Sequence, residues 1–200
     1  QLNDGSLPFC TDSLMRKYRA YHEIARACGF AHTPLLVDEW GMAAAGFYNR
    51  EECPALMARE TEVFSAYYAK LLCEIAASDL PIEMLSVCLS GQHEMKEDFS
   101  GFRNFFTLNF IRKPIYNAFV LLRKLGNQLL DCAWENQDMR ALATSDDHGK
   151  LCVMLAYASK HFDTPLPSVS EQIKLSGVSG KKKVTLWLID ETHINPCKLA

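Results

Sequence analysis

Along the first 126 residues, apolar positions alternate between the spacing of helices and the continuous runs of buried strands. Apolar side chains three and four residues apart predict helices over 14–28, 54–77 and 113–126. Unbroken apolar runs predict buried strands over 34–39 and 84–90, the first of them covered on both faces. This alternation favours an α/β unit whose two strands are parallel neighbours, with the intervening helix packed outside them.

The pattern changes after Gly126. Five strand-like segments follow, separated by turn signals, and they cover 127–134, 139–144, 150–159, 168–175 and 182–189. Segment 150–159 is apolar on both faces, so we expect it to lie in the centre of its sheet. The predicted class is therefore α/β plus β, with an α/β unit over 1–126 and an antiparallel β unit over 127–200.

Composition and charge restrict the partners without indicating a function. The chain has 200 residues, of which 48% are hydrophobic and 22% charged, as is typical of one globular domain or two small ones. The net charge of −3 gives no support for binding to nucleic acid or to anionic membranes. No apolar run reaches transmembrane length and no signal peptide opens the sequence, so we expect no membrane partner.

The cysteines indicate a reducing compartment. There are eight of them, scattered along the chain without a CxxC pair, which argues against a zinc site or a thioredoxin motif. Cys73, Cys88 and Cys152 fall in apolar segments, where a free thiol packs as a small hydrophobic group. We therefore expect reduced core thiols and a cytoplasmic location, with a disulfide framework as the alternative.

The motif Asp-Glu-Trp-Gly at positions 38–41 is the first candidate for chemistry. Burying two carboxylates without partners is costly, so the strand is predicted to end here, with Glu39 at its carboxyl edge. Active sites of parallel α/β folds lie at this edge. Trp40, Phe47 and Tyr48 are candidates to stack on a sugar ring. A strand end with two solvated acids is the alternative interpretation.

The second strand also ends in polar groups, because Gln92, His93 and Glu94 follow it directly. The long loop beyond them contains several aromatic side chains and Arg103. A single His or Glu in a loop is usually solvated, but two neighbouring strands that both end in acids at one edge favour a binding site. These four residues are therefore candidates to contact a ligand.

Three segments together resemble glycoside hydrolase family 39, the β-xylosidases and α-L-iduronidases. The motif at 38–41 resembles the nucleophile motif of that family's seventh barrel strand. The run 100–119, which ends in Ile-x-Lys-Pro-x-Tyr-x-Ala, resembles the segment between the eighth strand and the last helix. Residues 189–195, Ile-Asp-Glu-Thr-His-Ile-Asn, resemble its β-sandwich motif. The xylosidase branch is favoured by Glu39-Trp40 and by the last motif.

The resemblance implies a (β/α)8 TIM barrel followed by an antiparallel β-sandwich domain. Residues 1–126 would cover only the end of the barrel, from helix six to helix eight, and residues 127–200 an incomplete sandwich. The family's general acid/base is the Glu of an Asn-Glu dipeptide after strand four, and this sequence contains no such dipeptide. We therefore expect a missing N-terminal barrel portion as partner, and no activity from the chain alone.

The resemblance also implies roles for individual residues in a retaining hydrolase that cleaves terminal xylose-type bonds by double displacement. Glu39 matches the nucleophile, while Trp40, Gln92, His93, Glu94 and Arg103 are assigned to substrate binding. No metal or organic cofactor is implied. Positions 90–93 read Ser-Gly-Gln-His, where the family's xylosidases more often have a Ser-Asp pair and a nearby double Glu. A non-catalytic carbohydrate-binding or scaffold protein is the alternative, and a homo-oligomer is left open.

Overall fold

The computed structural model describes residues 11–42, 50–51, 53–87, 97–159 and 166–199. The helices are α1 (Thr11–Ala27), α2 (Glu62–Ala76), α3 (Pro114–Leu122) and the short α4 (Pro196–Leu199), with a 3₁₀ helix over Pro54–Glu60. The strands are β1 (Leu35–Trp40), β2 (Ile82–Val87), β3 (Gln128–Leu130), β4 (Met139–Ser145) and β5 (Leu151–Tyr157). None of the helices in these ranges is long and apolar enough to cross a membrane.

Helix α1 ends where the sequence predicts, but it buries only its first half. Gly29 has a φ of 87°, the left-handed conformation that glycine adopts without a Cβ penalty after a helix. Met15 and Tyr18 are buried against the core, whereas Tyr21 and Ile24 are exposed. The helical spacing of apolar residues over 14–28 therefore corresponds to a buried face only in the first half of the helix.

The single helix predicted over 54–77 is two elements in the structure. Thr61 has extended backbone angles, with φ −113° and ψ 179°, and separates the 3₁₀ helix from α2. Its hydroxyl accepts a hydrogen bond from the Val63 N–H at 3.4 Å and so caps α2. The break turns Arg59 and Glu60 into the interior, where both are fully buried.

Strands β1 and β2 are parallel neighbours, as predicted. The strand β1 includes Asp38 and Glu39 and ends at Trp40, so its predicted end at Glu39 is confirmed to within one residue. The prediction that it is covered on both faces is wrong, because Leu36 is exposed, as is Met84 on β2. Within the described residues this sheet has these two strands, and each displays apolar side chains to solvent.

The antiparallel unit is smaller than predicted. Its sheet has the order β3-β4-β5, which makes β5 an edge strand rather than the expected central one. Segments 168–175 and 182–189 form no strand in the structure, so both of those predictions are wrong. A strand needs a partner for its backbone N–H and C=O groups, and apolar alternation alone does not supply one.

Helix α2 lies between the two sheets and joins them. On one side, the Tyr68 hydroxyl donates to the Leu85 carbonyl of β2 at 3.0 Å. On the other side, the Tyr67 hydroxyl donates to the Ser159 carbonyl at 2.6 Å, and Lys70 Nζ to the Ala158 carbonyl at 2.8 Å, both just beyond β5. A single hydrophobic core that includes α2 therefore packs against the carboxyl edge of the parallel sheet.

The cysteine prediction is confirmed at one described position. Cys73 is fully buried on α2, and desolvation raises the pKa of its thiol to about 12. Cys152 is half-buried and its Sγ donates to the Lys124 carbonyl at 3.0 Å. Cys88 lies outside the described residues. Cys73 therefore behaves as a core side chain, since a thiol with a raised pKa is a poor nucleophile and metal ligand.

Candidate functional site

Glu39 lies at the carboxyl end of β1, in a local irregularity of the strand pairing. Val37 pairs with Leu85 and Trp40 with Val87, so two residues of β1 lie opposite a single residue of β2. Such a bulge bends the strand and redirects side chains, and bulges are frequent next to active sites. The Glu39 side chain is 65% exposed, so its carboxylate is open to a ligand at the end of the sheet.

Arg103 reaches the same point from the segment that follows β2. Its guanidinium Nη1 lies 4.0 Å from Glu39 Oε1, and the Arg103 side chain is only 8% exposed. The predicted site therefore comes together at two of its residues, which are 64 positions apart in the sequence. An ion pair at this distance, with one exposed partner, contributes little to stability, at most about 1 kcal/mol.

Gly41 leaves the space that the Arg103 side chain occupies. A Cβ built at Gly41 would lie 2.9 Å from Arg103 Cδ and 3.2 Å from Nη1. The first of these separations is shorter than carbon atoms tolerate, so any larger residue would displace the arginine. The Asp-Glu-Trp-Gly motif thus ends in glycine at a position where a side chain would clash with Arg103.

A buried ion pair holds the backbone that carries Arg103. Lys113 Nζ lies 2.8 Å from Glu60 Oε1 and 2.7 Å from Oε2, and both side chains are fully buried. Glu60 Oε1 also accepts from the Gly101 N–H at 2.7 Å, and Lys113 Nζ donates to the Phe102 carbonyl at 3.1 Å. Two consecutive residues directly before Arg103 are therefore tied to fixed buried charges.

Arg59 connects this segment to the end of β1. Its Nε donates to the Met42 carbonyl at 2.9 Å, and its Nη1 donates to the Gly101 carbonyl at 3.2 Å. Burial, together with the neighbouring charge of Arg103, lowers the pKa of Arg59 to about 10. The guanidinium still carries its charge at neutral pH. We call Arg59, Glu60 and Lys113 the anchor cluster.

A second connection lies nearer the surface. Arg50 forms an ion pair with Glu97, its N–H donates to the Ser100 carbonyl at 3.0 Å, and its Nη1 donates to the Phe99 carbonyl at 3.4 Å. Phe99 has a φ of 59°, which is costly for a residue with a side chain and is found at sites that the surroundings hold in place. The segments after β1 and β2 are thus joined twice, by Arg59 in the interior and by Arg50 nearer the surface.

Trp40 is placed in the core rather than beside Glu39. Its side chain is 4% exposed, and its ring lies 5.8 Å from that of Phe64 and 5.3 Å from that of Tyr68, measured between ring centroids. This burial favours packing as its role. Its predicted contact with a substrate stays a prediction.

The other predicted contacts fall outside the described residues. Gln92, His93 and Glu94 lie in the segment 88–96, and Phe47 and Tyr48 lie in the segment 43–49. Their roles therefore stay predictions. Among the residues that the structure does describe, no group of three or more His, Cys, Asp and Glu side chains is arranged to hold a metal ion.

The sequence analysis did not identify the anchor cluster. Arg59 and Glu60 stand in a polar stretch that precedes the cap at Thr61, and there a charged pair is usually solvated. Lys113 belongs to the Lys-Pro start of α3, where it is the N-cap residue. The proline restricts the backbone of Lys113 to extended angles, here φ −76° and ψ 160°, but this gives no signal that its side chain is buried.

The third motif, 189–195, lies against the N-terminus of α2. Asn195 is fully buried and its Nδ2 donates to Glu62 Oε2 at 2.5 Å. Lys198 Nζ contacts the other oxygen of the same carboxylate at 3.0 Å. Glu62 is in the first turn of α2, where a negative charge is favourable for the helix dipole. This motif therefore attaches the end of the chain to the central helix and does not contact Glu39.

Comparisons with known proteins indicate a fold. No protein-family model matches the sequence and no curated protein matches it. A monomeric β-xylosidase from Caulobacter crescentus CB15 is similar in structure, with a TM-score of 0.54 and 19% sequence identity over 68% of this chain and 26% of that chain. A GH39 β-xylosidase from Caulobacter crescentus aligns with a TM-score of 0.48 and 21% identity, over 64% of this chain and 29% of that chain.

At these identities the likeness is one of fold. The predicted likeness to a β-xylosidase is confirmed at the level of the fold, for the part of the chain that aligns. The present chain spans 26% of the length of the first of these enzymes.

Proposed function

We propose that this chain is part of a retaining glycoside hydrolase that cleaves terminal xylose-type bonds, with Glu39 as the nucleophile. The observation that carries the proposal is the position of Glu39. Its carboxylate is 65% exposed at the bulged carboxyl end of β1, 4.0 Å from a buried arginine. The fold around it is similar to that of a β-xylosidase.

The chemistry needs one ionised and one protonated carboxyl group, roughly 5–5.5 Å apart in retaining enzymes. In the first step a Glu39 oxygen bonds to the anomeric carbon as the glycosidic C–O bond breaks, and the leaving oxygen takes the proton of the second carboxyl group. In the second step that carboxylate takes a proton from water, whose oxygen replaces Glu39 at the anomeric carbon. Both groups return to their starting states and the anomeric configuration is retained.

The second carboxyl group is proposed to lie in an N-terminal barrel portion outside this sequence. We propose that residues 1–126 form the end of a (β/α)8 barrel and residues 127–200 part of a β-sandwich. Support comes from the exposed apolar side chains of Ile24, Leu36 and Met84, which neighbouring barrel elements would cover. Support for the boundary comes from Gly126, whose N–H donates to Thr144 Oγ1 at 2.8 Å directly against β4.

The proposal is tested with Glu39→Gln in the complete protein, with Asp38→Asn as the matched control. The amide keeps the shape and removes the charge, so turnover of an aryl xyloside should fall by several orders of magnitude. Removing the nucleophile of a serine protease, for comparison, costs roughly 10⁶-fold in rate. A 2-deoxy-2-fluoro xyloside with a good leaving group should label the wild type on the peptide that contains Leu35 to Trp40. Mass spectrometry detects the label, and proton NMR should show retention.

Three results would contradict the proposal. The label could appear on another acid, the product could be inverted, or Glu39→Gln could leave the rate unchanged. Xyloside binding without any turnover by the complete wild-type protein would instead support the carbohydrate-binding or scaffold alternative. The 200-residue chain alone is expected to show no turnover, because the acid/base is proposed to lie elsewhere.

A further inference from the structure

We infer that Arg103 is the positioning residue for Glu39, and that the anchor cluster of Arg59, Glu60 and Lys113 fixes it in place. The inference rests on the proposed function, because it concerns the geometry of the same carboxylate. It adds a mechanism by which a glutamate on an exposed strand end is kept in one orientation.

The unequal burial of the two side chains shows which one is held. Arg103 is 8% exposed, whereas Glu39 is 65% exposed. An exposed glutamate samples several rotamers, and ordering it costs side-chain entropy. The buried guanidinium cannot turn away into water, so it offers a fixed charge to a carboxylate that would otherwise move.

The backbone before Arg103 is fixed by contacts of unusual number and depth. Gly101 donates its N–H to Glu60 at 2.7 Å and accepts from Arg59 at 3.2 Å through its carbonyl. The next carbonyl, of Phe102, accepts from Lys113 at 3.1 Å. Gly101 also has a φ of 88°, so the turn that directs Arg103 towards β1 uses a conformation open to glycine.

Arg59 also holds the segment that follows β1, on the other side of the site. It donates to Met42 as well as to Gly101, so the two strand exits cannot separate without breaking a buried charged hydrogen bond. Hydrogen bonds from a charged donor are stronger than those between neutral groups, and leaving such a donor unsatisfied in the interior is costly. The distance between Glu39 and Arg103 is therefore set by the core and not by a surface loop.

The consequence concerns the rate of attack. A nucleophile must be held within a near-attack geometry, and a misplacement of about 1 Å can cost about 10²-fold in rate. In the complete protein, Arg103→Met should therefore lower the rate of glycosyl-enzyme formation by about 10- to 100-fold. The KM should change much less than kcat, because substrate contacts elsewhere remain.

The experiment measures the rate of labelling by a 2-deoxy-2-fluoro xyloside, with steady-state kcat and KM, in five variants of the complete protein. Arg103→Lys keeps the charge and should recover part of the rate that Arg103→Met loses. Gly41→Ala should slow labelling with Arg103 still present, because its Cβ would displace the arginine. Combining Gly41→Ala with Arg103→Met should add little to the methionine variant alone, since both act on one contact.

Arg112→Met is the matched control from the same loop, where the arginine lies over the Tyr116 ring at 4.9 Å, and it should label at the wild-type rate.

The outcomes separate this inference from the proposed function. If Glu39→Gln abolishes labelling but Arg103→Met and Gly41→Ala both label at the wild-type rate, the positioning role is wrong and the nucleophile stands. If Arg103→Met loses its fold, Gly41→Ala and Arg103→Lys decide the question, because both retain a cation there. Equal slowing by the lysine and methionine variants, with a parallel fall in melting temperature, would show a structural role only.

Discussion

The carboxyl edge of the parallel sheet and the segment beyond β5 differ in where their partners are. At the edge, buried charges are matched: Glu60 meets Lys113, and Arg59 is bonded to two carbonyls. Beyond β5, Val184 and Leu186 alternate as in a strand, yet they are 85% and 80% exposed. The charged groups of the first region have partners among the described residues, whereas the apolar side chains of the second region are not covered by them.

The exposed face of β5 belongs to the same open region. Leu151, Val153 and Leu155 point to one side of this edge strand and all three are exposed. An apolar sheet face and an apolar strand-like segment are each unfavourable in water, and exposed apolar patches of this kind mark interaction surfaces. The contrast teaches that the charged groups of the edge find distant partners within the described residues, whereas the apolar alternation in 168–175 and 182–189 has no partner strand among them.

Breaking the anchor cluster should have the largest effect on stability. Lys113→Met leaves Glu60 as a buried charge without its cation, and removing one partner of a buried pair typically costs about 3–5 kcal/mol. Arg26→Met removes an ion pair with Glu23 in which both side chains are more than half exposed, and it should cost at most about 1 kcal/mol. Urea denaturation of both variants, followed by circular dichroism, measures the difference.

The double variant Glu60→Met with Lys113→Met sharpens this test. Replacing both charges by apolar side chains of similar volume is often close to neutral, so the double variant should be more stable than Lys113→Met alone. Equal destabilisation by Lys113→Met and Arg26→Met would mean that the cluster does not hold the edge together.

Two tryptophans compare the regions directly. Trp40 is 4% exposed between Phe64 and Tyr68, so Trp40→Ala should cost about 3–5 kcal/mol. Trp187 is 56% exposed and only covers Lys124, whose Nζ lies 4.4 Å from the ring centroid, so Trp187→Ala should cost at most about 1 kcal/mol. Thermal melts of the chain measure both, and a reversed order would contradict the assignment of Trp40 to the core.

Much of the α/β unit was predictable because its signals are local. The Pro114 start of α3 and the glycine after α1 mark helix ends by backbone chemistry, and the apolar runs mark β1 and β2. The break at Thr61 was not predictable from spacing, since apolar positions continue in register across it. The absence of ladders in 168–175 and 182–189 was not predictable either, because pairing depends on strands elsewhere.

For the candidate site, the sequence pattern proposes Glu39 and Arg103 but not the buried residues that hold them. Glu39 and Arg103 were proposed separately, from a strand end and a loop, and the structure brings them within 4.0 Å. Arg59, Glu60 and Lys113 were missed, because a charged residue is solvated unless a distant partner is known. Burial of charge is a tertiary property, and sequence spacing carries almost no information about it.

Leu186→Lys tests whether the open segment is covered in the complete protein. In the 200-residue chain the substitution should change the melting temperature very little, because Leu186 is 80% exposed. In the complete protein it should destabilise by about 1–3 kcal/mol, since burying the leucine side chain there is worth that amount. Amide exchange of residues 182–188 should slow in the complete protein relative to the chain. Equal melting shifts in both would contradict the covering.

The smallest expected effect concerns the turn at 190–193, where the open segment returns to α2. Desolvation is the largest single influence on the pKa of Asp190 and raises it, but hydrogen bonds from the Thr192 and His193 N–H groups, the His193 ring and the Thr192 hydroxyl together lower it to about 2. A lowered pKa in the folded state means that the contribution of Asp190 to stability is complete above the unfolded value of roughly 3.9 and is lost as pH falls towards 2. The protection of the Thr192 and His193 amides, which is their exchange rate relative to that of an unstructured peptide at the same pH, should therefore fall between about pH 4 and pH 2 in the wild type. Asp190→Asn should show low protection at every pH, while Asp131→Asn, at an exposed position, should behave as the wild type. Since solvent screens this turn, the global melting temperature should hardly change; protection of these two amides that stays constant with pH in the wild type would show that Asp190 does not organise the turn.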